Sequence, residues 1–384
     1  MLFKERTVAV LSFVKKEAVF FIAFLCALVS SFFVPPSSAY FAYIDCNTLF
    51  ILFALMGVVG AFRSCGIFER IGIFLCGKVS TVRPLCFVLV MLCFFSSMLI
   101  TNDVALITFV PLTVELLGGA GIPSVVMLTV VFQTIAANTG SMLTPLGNPQ
   151  NLFLFGKMGL SVSSFILILL PYTALCFICL CACMFFVPAK MKVPALKSGV
   201  ASKGSTLKTA VYGLLFILCL LSVVRIVPKW TCALCVLLVL LVLDRKILLK
   251  IDYMLLLTFV AFFIFTGNIA SIDSVREFLM NIVKGNEYWS ALASSQIISN
   301  VPATLLLYPF AMEGQEALLV GVNAGGLGTL VASLASLISF KTYSINRARL
   351  SLPSAGKYLF VFTLASILFL VLLTALRFIL NLVL

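Results

Sequence analysis

Long apolar runs alternate along this chain with short polar punctuation, and the punctuation sets the elements. Residues 18–34, 47–62, 163–187, 209–227, 230–243, 253–267 and 359–384 are apolar enough to read as membrane-crossing helices, for which about 20 apolar residues suffice. Residues 67–76 read as a short amphipathic piece. The runs are continuous rather than dyad-alternating, which excludes a β-barrel.

Four apolar stretches are interrupted. The run 85–117 carries Thr101-Asn102-Asp103 at its middle. A hydroxyl, an amide and a carboxylate in a row make an N-cap cluster, so a helix restarts there. Two half-helices meeting at 101–103 would form a re-entrant hairpin from the cytoplasmic side; a continuous helix with a polar patch against a neighbour is the alternative. The second interruption, 136–151, contains Asn138, Thr139, Gly140, Thr144, Pro145, Asn148, Pro149 and Gln150. Pro removes backbone donors, Gly weakens a helix and buried amides need partners, so an intact spanning helix is not expected. Broken backbone at membrane depth persists where it is buried in protein or lines a cavity. Ser299-Asn300-Val301-Pro302 interrupts the run 289–310, and Asn323-Ala324-Gly325-Gly326-Leu327-Gly328-Thr329 interrupts 317–340.

These interruptions repeat. Thr101-Asn102-x-x-Ala105 with Pro111 matches Ser299-Asn300-x-x-Ala303 with Pro309 at a constant offset, 300 − 102 = 309 − 111 = 198. Asn138-x-Gly140-x-x-x-Thr144 matches Asn323-x-Gly325-x-x-x-Thr329. The expected architecture is all-α and polytopic, with two inverted-topology repeats, each holding a re-entrant hairpin and a broken transmembrane helix. Residues 1–188 form the first repeat, 189–208 a basic cytoplasmic linker and 209–384 the second repeat. Paired interrupted segments point to a transporter's midplane site.

Charge then orients the chain. Lys4, Arg6, Lys15 and Lys16 precede the first run, and 190–208 holds five Lys and no acid, so both are expected in the cytoplasm. Nine crossings and two hairpins follow, with the C-terminus outside. The first run continues into Pro35-Pro36 without a small-residue cleavage site, unlike a signal peptide.

Composition agrees: 62% of the 384 residues are hydrophobic and 10% charged, far from soluble averages. The net charge of +13 lies between apolar runs and forms no patch suited to nucleic acid, which is not an expected partner. Thirteen Cys without any His argue against a zinc site; the Cys, including 179, 181 and 183, read as reduced packing residues. The expected partners are the lipid bilayer of a plasma or inner membrane and a small anionic substrate, with a homodimer left open.

Half-helix N-termini present free N–H groups to an anion, whereas unwound carbonyls with Asn and Thr oxygens suit Na⁺. Neither interrupted motif holds Lys or Arg. The candidate binding residues are Thr101, Asn102, Asp103, Asn138, Thr139, Gly140, Thr144, Asn148, Ser299, Asn300, Asn323, Gly325 and Thr329, with Asn102, Asp103 and Asn300 as candidates for Na⁺. Asp103 is the one acid at a break, which marks it for coupling or for helix capping.

Asn102-Asp103 in a hairpin, the 138–150 break and the Ser299-Asn300 repeat resemble the ion transporter superfamily, which includes divalent-anion/sodium symporters, citrate carriers, arsenite permeases and sodium/proton antiporters. The resemblance covers nearly the whole chain. It implies that Thr101, Asn102 and Asp103, with Ser299, Asn300 and Val301, occupy the hairpin tips that contact a carboxylate and help bind sodium. Asp103 and Val301 stand where the symporters carry Thr, which is closer to the arsenite-permease and antiporter branches. The expected function is secondary active transport of a small carboxylate or inorganic oxyanion coupled to Na⁺ or H⁺, with no cofactor beyond that ion. A cation/proton antiporter is the alternative. An intramembrane enzyme is disfavoured by the lack of His and of a nucleophile–base pair.

Overall fold

A computed structural model of the chain describes residues 17–118, 122–188, 205–311 and 313–383. Among them the first part of the chain folds into α1 (Ala18–Phe33), α2 (Ala39–Tyr43), α3 (Cys46–Ser64), α4 (Ile67–Cys76), α5 (Val82–Ile100), α6 (Asn102–Gly118), α7 (Pro123–Ser141), α8 (Pro149–Met158) and α9 (Val162–Cys183). The second part gives α10 (Thr206–Val223), α11 (Lys229–Leu243), α12 (Arg245–Leu248), α13 (Tyr253–Ser271), α14 (Asp273–Val283), α15 (Glu287–Ile298), α16 (Asn300–Leu307), α17 (Gln315–Ala324), α18 (Leu334–Asn346) and α19 (Ala355–Val383). The N-terminal basic cluster and residues 189–204, the greater part of the expected linker, lie outside the described residues.

Among the described residues seven helices are long and apolar enough to cross a membrane: α3, α5, α7, α9 with its 3-10 extension, α10, α13 and α19; α1 and α11 are apolar but shorter. The helix α7 is the centre of the fold, 89% buried over its apolar window, against 22% for α19. It packs against α5 and α6 and also touches α9, α18 and α19. Around this centre, α13 packs on α1, and α10 and α11 pack on α3. One sequence of elements occurs twice, in α4–α9 and α14–α19: a short amphipathic helix, two helices meeting at a sharp turn, an interrupted helix and a long helix.

The breaks differ from expectation in extent. The interruption expected over 136–151 narrows to 142–148, because α7 continues through Asn138, Thr139 and Gly140. The side chains explain this: Thr139 Oγ1 donates to Ile135 O (2.8 Å) and Asn138 Nδ2 to Thr134 O (3.0 Å). Polar groups satisfied on their own helix do not oblige it to unwind. The helix resumes at Pro149, a first-turn position where Pro loses no hydrogen bond. Likewise α17 runs past Asn323 to Ala324. Residues 271–288 contain the helix α14, whose Leu279 and Met280 pack on the core.

Contacts between distant loops tie segments in pairs. Asp45 Oδ2 lies 3.1 Å from Lys157 Nζ. Burial raises the Asp45 carboxyl, yet the Lys157 ammonium and hydrogen bonds from Thr48 outweigh it and hold the group below the usual carboxylate range. Arg225 NH2 donates to Phe155 O (2.9 Å), Arg83 Nε to Val187 O (2.7 Å), and Lys208 Nζ to Leu243 O (3.1 Å). Lys284 Nζ pairs with Glu313 at 3.1 Å, and Gly118 packs against Leu350.

Candidate functional site

The two sharp turns have almost the same backbone. Thr101 sits at φ 71°, ψ 150° and Ser299 at φ 72°, ψ 153°. This region is open to glycine and costs other residues about 1–3 kcal/mol each. It persists here because both sides of each turn are helical and the tip is tied down. In the first half Asn102 N donates to Gly147 O (3.1 Å); in the second Ser299 Oγ donates to Ala332 O (3.3 Å). Each tip is thereby fastened to the broken segment that follows it. Thr144 Oγ1 donates to Met98 O, and Thr329 Oγ1 to Gln296 O (3.2 Å). The sequence-matched threonines therefore hold equivalent carbonyls, since 296 − 98 is again 198. Gln296 adds bonds of its own, from Nε2 to Gly325 O (2.9 Å) and Leu327 O (3.0 Å).

The buried amides Asn138 and Asn323 form the centre of the site. Asn138 Oδ1 accepts from Asn102 Nδ2 (3.0 Å) and Ser333 Oγ (2.8 Å), while its Nδ2 also donates to Ser336 Oγ (3.2 Å). With Thr134 O this fills all four positions of the amide. Asn323 Nδ2 donates to Asn151 Oδ1 (2.7 Å) and Leu319 O (2.9 Å), and its Oδ1 accepts from Asn148 Nδ2 (3.3 Å). The two clasps correspond residue by residue: 323 − 138, 333 − 148 and 336 − 151 are each 185. Each asparagine near the end of an interrupted helix is thus held by the residues that open the half-helix beyond the other break. In line with this exchange, α6 packs on α18 and α16 packs on α8.

Two glycines permit the approach. A Cβ on Gly140 would stand 2.1 Å from Phe94 O, and one on Gly325 would stand 2.7 Å from Ser295 Oγ. At Gly140 the helix meets the backbone of α5, whereas at Gly325 the close neighbour is the Ser295 side chain. Thr139 turns onto its own helix, Asn148 caps α8 by accepting from Asn151 N (2.9 Å), and Thr329 is exposed.

The candidate residues are not all joined. Asn102, Asn138, Asn148 and Asn323 belong to one network, linked through Ser141, whose Oγ donates to Asn138 O (2.9 Å) and accepts from Asn148 Nδ2 (3.3 Å). Asn300 lies outside it: among the described residues its side chain makes no hydrogen bond, although it is 5% exposed and approaches Gly326. The Asp103 carboxylate is half-buried, and among the described residues it accepts no hydrogen bond and faces no cation. The cap at this turn is Asn102, whose Oδ1 accepts from Asp103 N (3.0 Å). Ser333, Ser336, Asn151 and Gln296 were absent from the expected site. Extending the offset of 185 from Asn148 finds Ser333; Asn151 and Ser336 match only each other at that offset, and Gln296 matches Met98 at 198, so nothing in the expected site points to them.

Apolar helices of spanning length around a polar, twice-interrupted centre define a multi-pass membrane protein. The chain belongs to the citrate transporter family, whose pattern matches residues 7–332. It is 32% identical to inner membrane protein YbiR of Escherichia coli (strain K12) over 318 residues, 81% of this chain and 84% of that one. It is also 32% identical to uncharacterized transporter MJ0456 of Methanocaldococcus jannaschii over 307 residues, 78% of this chain and 82% of that one. The silicon efflux transporter LSI3 of Oryza sativa subsp. japonica is 32% identical over 144 residues, 38% of this chain and 29% of that one. Family and relatives make this chain a membrane transporter.

Proposed function

We propose that the protein is a secondary active transporter of a small anion, a carboxylate or an inorganic oxyanion, coupled to Na⁺ or H⁺. The observation that carries this reading is the exchanged clasp of Asn138 and Asn323. It ties a polar network to both interrupted helices at the depth of the most buried helix in the fold. Two inverted repeats account for the clasp, because the matched residues then lie about one pseudo-two-fold axis in the membrane plane. The loop contacts support the same arrangement. Asp45 with Lys157 and Lys284 with Glu313 join segments the charge rule puts outside. Arg83 with Val187 and Gly118 with Leu350 join segments it puts inside. The first hairpin then opens to the cytoplasm and the second to the exterior, and the N-terminus is cytoplasmic.

The four half-helices α6, α8, α16 and α18 direct N-terminal N–H groups toward the breaks, which suits an anion where no Lys or Arg is present. Asp103, which faces no cation among the described residues, supplies the charge for a coupling ion. The names of the relatives favour an anion or oxyacid over the antiporter alternative: the family is named for citrate and one relative for silicon efflux. The test is uptake of labelled citrate, arsenite and silicic acid into proteoliposomes under an imposed Na⁺ or pH gradient. Gradient-dependent accumulation of at least one is expected. Na⁺/H⁺ exchange without accumulation of any of them would establish the antiporter instead.

A further inference from the structure

A cavity of about 190 Å³ opens beside the C-terminal turns of α19, and none of its lining residues belongs to the clasps. Its walls come from the turn before α15, the first turns of α15 and α17, and α19; Asn286, Glu287, Trp289, Arg377 and Asn381 are among them. Among the described residues Glu287 is the one charged residue that is buried, at 6% exposed. Its Oε1 accepts from Gly285 N (3.0 Å), and a Cβ on Gly314 would stand 2.2 Å from its carboxyl carbon, so only a glycine there leaves room for the group. Among the described residues its other oxygen accepts no hydrogen bond and no cation pairs with it. Arg377 is half-buried on the same cavity and likewise has no hydrogen bond or ion pair among the described residues. The charged neighbours Lys284 and Glu313 pair with each other at 3.1 Å. The cavity thus holds one carboxylate and one guanidinium, each without a counter-ion and not joined to the other. A first-turn Glu also complements its helix dipole, but that role asks nothing of Arg377. Removing a charge from water without a partner is costly, so the buried carboxylate calls for a cation.

The position of the cavity in the membrane narrows the ligand. Between Lys357 and Arg377 the helix α19 carries no charged residue. Their separation, 377 − 357 = 20 residues, corresponds at the helical rise to about 30 Å, the thickness of the hydrocarbon core. Lys357 and Arg377 therefore reach opposite headgroup layers. Trp289, 46% exposed, and Phe378, 54% exposed, pack together at 6.0 Å between ring centroids at the same level. Trp is the residue favoured where the bilayer meets water. The volume suits a small polar headgroup and falls below the roughly 300–1,000 Å³ of sites for drug-sized molecules.

We propose that this cavity binds a phosphoethanolamine group, the headgroup of an aminophospholipid, with its phosphate on Arg377 and its primary ammonium on Glu287. The inference stands apart from the transport function. A guanidinium matches the geometry of a phosphate and can donate two parallel hydrogen bonds to it. The ammonium donates to the free oxygen of Glu287 and neutralises it. A choline headgroup has no N–H to donate, and a glycerol headgroup brings no cation, so both leave the carboxylate uncompensated. Asn286 and Asn381 add amides at the rim.

The experiment uses the full chain, stripped of lipid in detergent and mixed with phosphatidylethanolamine, phosphatidylcholine and phosphatidylglycerol of identical acyl chains. Native mass spectrometry reads which lipid is retained. Wild type should favour phosphatidylethanolamine over each of the others by about tenfold or more, the ratio that one charge-assisted hydrogen bond gives. Glu287→Gln keeps an acceptor for Gly285 N and removes the charge, so its preference for phosphatidylethanolamine over phosphatidylglycerol should fall to near unity. Arg377→Gln should weaken retention of both of these lipids. Soluble glycerophosphoethanolamine is then added to the loaded protein. If it displaces the lipid, the free headgroup is the ligand; if it does not, the bilayer lipid is. Equal retention of all three lipids by wild type overturns the proposal, and this result needs no variant to fold. An undiminished preference in Glu287→Gln, with or without a lower thermal midpoint, overturns it too and leaves Glu287 a helix-dipole residue.

Discussion

The amides explain why so polar a sequence survives in an apolar chain. Asn138 is saturated by four bonds, one to its own helix and three to other elements, so its burial leaves no unmatched polar atom. Asp103 is the opposite case, with a carboxylate that nothing among the described residues compensates. Asp103→Asn keeps the shape and removes the charge. It is expected to abolish the Na⁺ or pH dependence of uptake while the purified protein stays monodisperse, and gradient-driven uptake unchanged from wild type would remove the coupling role. At this scale the sequence was legible where residue type is conspicuous. Asn102, Asn138, Asn300 and Asn323 stand out because an amide in an apolar run demands an explanation. Ser333 and Ser336 do not, since Ser is common in membrane helices, where it bonds back to its own turn.

Helix ends set what the elements can do. The amphipathic helix α4 was legible to the residue because apolar positions recur at helical spacing between charged turns. Its counterpart α14 has the same spacing at Val275, Phe278, Leu279 and Ile282, but Asp273, Arg276 and Glu277 obscure it. Break boundaries were less legible, because Asn and Gly inside α7 resemble helix breakers until their partners are known. Gly140 makes the point testable. Its missing Cβ lets α7 touch the backbone of α5 at Phe94, 2.1 Å from an added Cβ, whereas a Cβ on Gly325 would meet the Ser295 side chain at 2.7 Å and the Gly321 carbonyl of its own helix at 2.9 Å. Backbone cannot move aside as a hydroxyl can. Gly140→Ala should therefore destabilise by about 1–3 kcal/mol, the usual cost of overpacking, and Gly325→Ala by less. Thermal midpoints of the two purified variants, measured side by side, check the order.

For the whole molecule, the arrangement proposed above has its two hairpins entering from opposite faces of the membrane. Single-Cys labelling in a Cys-free background tests it at two exposed serines, Ser161 before α9 and Ser351 before α19. An impermeant reagent applied to intact cells should modify Ser161→Cys and spare Ser351→Cys, and the reverse pattern would invert the orientation. The central claim is that the clasps of Asn138 and Asn323 form the transport site. Interhelical hydrogen bonds in membrane proteins average about 0.6 kcal/mol, so losing two or three leaves the fold standing. Losing the groups that shape a binding site costs transport far more. The direct measurement is the initial rate of gradient-driven uptake by wild type, Asn138→Ala and Asn323→Ala in proteoliposomes at matched protein density. Both variants should lose at least tenfold in rate while remaining monodisperse. Wild-type uptake in either one would contradict the account.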